Sequence, residues 1–186
     1  MRSNLFVLGI LVVGCNASKG DIDRSRCGRA MTLCTIGGTG DAGYNGQDGR
    51  ATELQLDYPS ALALDEANRI LVSDAANFLV RRFDGDQLNT VVGTKRKGAA
   101  VSDQPLTGVD GTLLDFVSDM EFGPDGRMGM LESGGRQLSW VDFNAGNLSH
   151  IVSQSNEPGW NKDAETSLDS VELTEPSSFT FDDEGN

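Results

Sequence analysis

Residues 58–77, from Tyr58 to Asn77, read YPSALALDEANRILVSDAAN. Large and small residues alternate through Ala61, Leu62, Ala63 and Leu64. Period-two alternation is the pattern of a strand. The stretch returns twice in register. Tyr58 to Asp65 aligns with Phe116 to Gly123, where Met120 and Phe122 alternate with Asp119 and Glu121. It aligns again with Glu175 to Asp182, where Phe179 and Phe181 alternate with Ser178 and Thr180. The offsets are 58 and 59 residues. A repeat of that length is one supersecondary unit, stacked on its neighbours. A turn follows each copy, and Asn68, Gly126 and Gly185 hold its equivalent last position. All three tolerate positive φ, which suits a short hairpin.

The rest of the unit continues as strands. Ile70 to Ser73 matches Met128 to Leu131, and a second turn follows at Asp74 to Asn77 and Glu132 to Gly135. Side chains such as Asp74 and Asn77 cap nearby backbone N–H groups. The third strand, Leu79 to Phe83, matches Gln137 to Val141. Its apolar places Val80 and Phe83 lie three apart, as do Leu138 and Val141, which predicts a bulge. The fourth strand, Leu88 to Val92, matches Leu148 to Val152 after a two-residue insertion. Four antiparallel strands repeated head to tail describe an all-β propeller blade.

The motif P-S-A-L-A-L-D-x-x-N-R-I-L-V-S-D-x-x-N, beginning at Pro59, resembles the NHL repeat. Gly40 to Gly49 resembles the glycine-rich loop preceding that repeat in secreted bacterial NHL proteins. The second copy departs at Val117, Glu132 and Gly135, and the third keeps Gly159-Trp160-Asn161 and Pro176. The resemblance implies a partial NHL propeller over residues 34–186. It would hold two full blades, the inner strand of a third, and a lone strand near Leu33 to Ile36 that would complete another blade. A six-bladed ring of such units needs on the order of 350 residues, so the expectation is an incomplete ring and a fragment of a longer propeller.

The N-terminus carries a different signal. Arg2 precedes the apolar run Leu5 to Val13, too short to span a bilayer and suited to the apolar core of a signal peptide. Val12-Val13-Gly14-Cys15 resembles the bacterial lipobox. That resemblance implies a signal peptide over 1–14, a diacylglycerol on Cys15, and a lipidated tether over 15–33. Acyl chains would anchor the protein to the membrane. Asn16 favours the outer membrane by the same resemblance, and a plain secreted protein is the alternative. Cys27 and Cys34 lie seven apart and can close a disulfide loop outside the cytoplasm. A metal-binding thiol pair would need further ligands at suitable spacing. The formal charge of −13 repels phosphate backbones, which argues against nucleic-acid partners.

Chemical candidates are few. Asp41, Asn45 and Asp48 in the glycine-rich loop could offer oxygen ligands to calcium, but not at EF-hand spacing. Turn-forming roles are the commoner use of such residues. His150 is the single histidine and cannot build a zinc site alone. No serine sits in a G-x-S-x-G elbow. Trp140 is expected between blades, while Tyr44 and its counterpart Trp160 are possible ligand contacts. Asp119 and Glu121 are the two acidic groups on the inner-strand face, expected toward the central channel. Two function classes follow. One is a non-catalytic propeller binding protein or glycan at the cell envelope, without a cofactor. The other is a lactonase-like or amidoglycolate-lyase-like enzyme whose ligands would lie in further blades.

Overall fold

A computed structural model describes residues 34–98, 100, 104–108, 111–152, 173, 175–182 and 184. The candidates Cys15, Cys27, Trp160, Asn161 and Gly185 fall outside these residues. Two antiparallel sheets make up the fold. The first blade comprises β2 (Pro59–Leu64), β3 (Ile70–Asp74), β4 (Leu79–Asp84) and β5 (Gln87–Gly93). A two-residue strand, β1 (Gly49–Arg50), pairs with the far edge of β5, so this sheet runs β1-β5-β4-β3-β2. The second blade comprises β6 (Val117–Phe122), β7 (Met128–Glu132), β8 (Gln137–Asp142) and β9 (Asn147–Val152), in that spatial order. These meandering four-strand units are partial propeller blades.

Backbone details repeat with the sequence. The register of β4 on β5 shifts between Val80 and Arg81, and that of β8 on β9 between Leu138 and Ser139. The bulge therefore sits where the apolar spacing placed it. Asn68 and Gly126 have φ of 57° and 79°. Tyr58, Phe116 and Glu175, the residues that enter the three inner segments, have φ of 52°, 53° and 53°. A left-handed, non-glycine residue at one repeat position in every copy is a property of the unit.

The blades stack with a fixed polarity. Ala61 and Ala63 are 4% and 8% exposed and join Met120, 3% exposed, in one apolar cluster with Leu71, Val80, Val92, Met128 and Met130. Phe122 packs against that cluster. The large side chains of the second inner strand thus lie on the small ones of the first. Ser73 Oγ donates to the Val117 carbonyl at 2.8 Å, and the Ser60 hydroxyl reaches the same oxygen. These bonds pin the start of β6 to the first blade. On the opposite face of the first blade, Val72, Phe83 and Leu88 form a second cluster with Ala51, Leu54 and Leu56 of the glycine-rich segment.

Residues 34–36 are not assigned to a strand, and the outer edge of β5 in the first blade is paired by β1. The segment Pro176 to Asp182 is not hydrogen-bonded into a sheet. It is nonetheless docked. Phe179 and Phe181 lie over Gly129, where an added Cβ would come within 2.6 Å of Phe181 Cζ. Phe181 stacks on Trp140 with ring centroids 4.5 Å apart and planes 13° apart. Trp140 therefore belongs to the interface between repeats, as its sequence position suggested.

Candidate functional site

Burial sets apart the acidic groups at the ends of β3 and β7, Asp74 and Glu132. Asp74 Oδ1 accepts the Asp57 N–H at 2.7 Å, and Glu132 Oε2 accepts the Asp115 N–H at 2.7 Å. Each carboxylate thus caps the backbone just before a left-handed aromatic residue, Tyr58 or Phe116. An amide steadies each one. Asn77 Nδ2 donates to Asp74 at 2.9 Å, and Gln137 Nε2 donates to Glu132 at 2.6 Å. Asn77 also donates to the Gly43 carbonyl at 2.8 Å, which ties the turn to the glycine-rich loop. These bonds are longer in range than the local turn capping expected of Asp74 and Asn77.

Electrostatics separates the two copies. Asp74 faces Arg81, with Nε 2.9 Å from Oδ2 and both side chains fully buried. The contact lacks the alignment of a hydrogen bond, and Arg81 Nη1 and Nη2 have no hydrogen-bond partner. Burial pushes Asp74 up to about 6, against the opposing pull of the Asp57 N–H and the Arg81 guanidinium. Desolvation outweighing Coulomb attraction is the usual balance for a buried pair. Serine occupies the Arg81 position in the second copy, as Ser139. Burial there pushes Glu132 up to about 7, although Gln137 and the Asp115 N–H both donate to it.

The glycine-rich loop uses its polar residues for folding. Asn45 donates to the Glu53 carbonyl at 2.8 Å and accepts the Gln55 N–H at 2.7 Å. Asp48 accepts the Thr90 N–H at 2.7 Å. Asp41 lies in a tight turn with Thr39. Gly37 lets the chain lie on Phe83, where a Cβ would stand 2.6 Å from the ring. Among the described residues, no three His, Cys, Asp or Glu side chains converge as a metal site would require. Tyr44 is half-buried, with the Lys95 ammonium 3.7 Å and the Arg81 guanidinium carbon 5.5 Å from its ring centroid.

Asp119 and Glu121 face the third repeat rather than a channel. Asp119 Oδ2 accepts the Phe179 N–H at 3.1 Å, and Glu121 lies 3.3 Å from the Thr180 hydroxyl. The reason is geometric. Alternate residues of an inner strand point at the two neighbouring blades, and both acidic groups share the face of Gly129. His150 lies beside Ser139, with Nδ1 3.1 Å from Oγ, and burial holds its pKa below the ordinary value. Cys34 is disulfide-bonded.

One arrangement was not anticipated from the sequence. Tyr58 and Phe116 enter adjacent inner strands with ring centroids 5.3 Å apart, and Tyr58 is 59% exposed. An aromatic residue directly before an inner strand in both complete copies is the signal that could have found the pair.

The site and fold together define a β-propeller class of protein, built here from partial blades. No family model and no curated protein matches the chain. Among solved structures it is similar to a structural-genomics protein of unknown function from Bacteroides thetaiotaomicron VPI-5482. That match has 20% identity and a TM-score of 0.43, over 55% of this chain and 25% of that one. It is also similar to virginiamycin B lyase from Staphylococcus aureus, with 16% identity and a TM-score of 0.32, over 50% of this chain and 26% of that one. The chain spans about a quarter of the length of each. Values this low do not bear on chemistry.

Proposed function

We propose that the chain is part of an NHL-type propeller at the bacterial cell envelope, anchored through a lipid on Cys15 and with Cys27 paired to Cys34. In this reading it is a non-catalytic scaffold that binds a protein or glycan. The observation that carries the reading is the commitment of the acidic side chains to the fold. Asp74 and Glu132 cap inner strands, Asp119 and Glu121 meet the third repeat, and Asp48 fastens the glycine-rich loop. Tyr58 stands outward with the half-buried Phe116 ring beside it, a contact surface of the kind enriched in binding sites.

The test has two arms. Immobilised protein is titrated with soluble cell-wall fragments, lipopolysaccharide and envelope proteins. Saturable binding that falls at least about tenfold in Tyr58→Ser with Phe116→Ser supports the scaffold. In parallel, lactones, esters and amidated glycolates are offered with zinc or calcium, and background rates are expected. Turnover abolished by Asp119→Ala or Glu121→Ala would replace the scaffold with an enzyme.

A further inference from the structure

Beneath the glycine-rich loop lies a cation that the fold leaves incompletely paired. Arg81 is 0% exposed, and none of its guanidinium nitrogens has a hydrogen-bond partner. Its ionic contact is Nε to Asp74 Oδ2 at 2.9 Å. The other Asp74 oxygen is taken by the Asp57 N–H and by Asn77. Nη1 and Nη2 are therefore left over. Buried polar groups are nearly always hydrogen-bonded, and a buried charge without such bonds is costly. Ser139 fills this position in the second blade, so the packing of a blade does not require the cation.

A second cation meets the same ring. The Arg81 guanidinium carbon lies 5.5 Å from the ring centroid of Tyr44, and Lys95 Nζ lies 3.7 Å from it. Lys95 is exposed and makes no ion pair among the described residues. Its backbone is left-handed, with φ of 62°, a setting that costs a non-glycine residue. Two like charges thus gather on one tyrosine. The backbone on either side of that tyrosine is fastened. The Gly43 N–H donates to the Leu56 carbonyl at 3.2 Å, and the Asn45 side chain bridges Glu53 and Gln55. The half-buried ring itself covers the guanidinium.

We propose that Arg81, Tyr44 and Lys95 form a binding site for a small monocarboxylate. Both ligand oxygens accept from Nη1 and Nη2 of Arg81, the Tyr44 ring turns aside to admit the ligand, and Lys95 attracts it at the entrance. The fork of a guanidinium matches a carboxylate in bidentate geometry. The single ligand charge follows from burial. One buried cation that already faces Asp74 cannot offset the desolvation of a dianion such as phosphate.

The experiment is nitrogen-15 NMR of the full 186-residue chain, titrated with sodium acetate at pH 7 and constant ionic strength. The Arg81 Nε–H signal and the Tyr44 amide are followed, with far-UV circular dichroism as the folding control. Both signals are expected to shift saturably, with half-saturation in roughly the millimolar range open to so small a ligand. Formate is expected to act alike, and phosphate and chloride to leave both signals in place. Arg81→Lys keeps the charge but loses the fork, so the Tyr44 shift is expected to need at least about tenfold more acetate. Lys95→Met alters an exposed side chain and is expected to weaken binding roughly two- to fivefold. Acetate that moves neither signal would overturn the proposal, as would an equal response to phosphate or chloride. An unchanged half-saturation in either variant would do the same. If Arg81→Lys does not fold, Lys95→Met decides alone.

Discussion

The two blades solve one structural problem with different residues. In both, a carboxylate at the end of the second strand caps the N–H that precedes a left-handed aromatic residue. The first blade uses Asp74 with Asn77 three residues on, and the second uses Glu132 with Gln137 five residues on. A longer acid and a longer amide reach the same backbone atoms from a turn that contains Gly134 and Gly135. The first blade then adds Arg81 beneath the glycine-rich loop, while the second has Ser139. The comparison teaches that the cap is conserved in geometry within the molecule and free in identity, whereas the buried ion pair belongs to one blade alone.

That difference is broken most severely at Asp74. Asp74→Ala removes the cap and leaves the Arg81 charge buried and unpaired, a change expected to cost about 3–5 kcal/mol. Glu132→Ala leaves an uncapped N–H but strands no cation, so about 1–3 kcal/mol is expected. Urea unfolding monitored by circular dichroism measures both. Equal losses would show that Arg81 does not distinguish the blades.

The second way to sharpen the comparison is pH. Glu132 rises from an ordinary 4.5 to about 7 in the folded chain. A carboxyl whose folded pKa is raised stabilises the fold fully below its unfolded pKa and loses that contribution as pH rises through the folded value. Stability is therefore expected to fall between about pH 4.5 and pH 7, by roughly 3 kcal/mol at most. Asp74, raised to about 6, acts in the same direction over a lower window. Thermal unfolding at pH 5 and pH 8 reads the sum, and Glu132→Gln is expected to flatten the upper part of the profile. A profile that the substitution leaves unchanged would assign the dependence elsewhere.

The smallest expected effect concerns the left-handed residues. Glu175 has φ of 53°, and its exposed side chain stands where the other copies have aromatic rings. Glu175→Gly relieves a left-handed conformation that costs a non-glycine residue roughly 1–2 kcal/mol, against the larger backbone entropy of glycine. A slight slowing of amide exchange at Phe179 is expected, and faster exchange would contradict it.

Much of this architecture was legible in residues 58–77. Strand positions, the bulge and the positive φ at Asn68 follow from local spacing and turn chemistry, which act within a few residues. What the spacing could not supply was direction. Asp119 and Glu121 were expected toward a central channel, because alternation shows that two faces exist but not which neighbour each one meets. The role of Gly129 was hidden for the same reason. It stands where the first blade has Leu71, and its purpose appears only with Phe179 and Phe181 lying over it. In the candidate site, residue type left Asn45 and Asp48 as calcium candidates beside the commoner turn-forming reading, and only their backbone partners at Gln55 and Thr90 show which part of the fold they fasten. The left-handed setting of Tyr58 and Phe116 was not readable, since neither residue type favours it.

The central claim is that each repeat lays its large residues on the small face of the repeat before it, the third included. A double-mutant cycle between Gly129 and Phe181 tests this most directly. In the wild-type background, Gly129→Ala forces a Cβ against the Phe181 ring and is expected to destabilise the chain by about 1–3 kcal/mol. In a chain already carrying Phe179→Ala and Phe181→Ala, the same substitution is expected to be neutral or slightly stabilising, since alanine loses less entropy than glycine in a strand. An equal loss in both backgrounds would mean that Phe179 and Phe181 do not lie on Gly129, and would contradict the stacking.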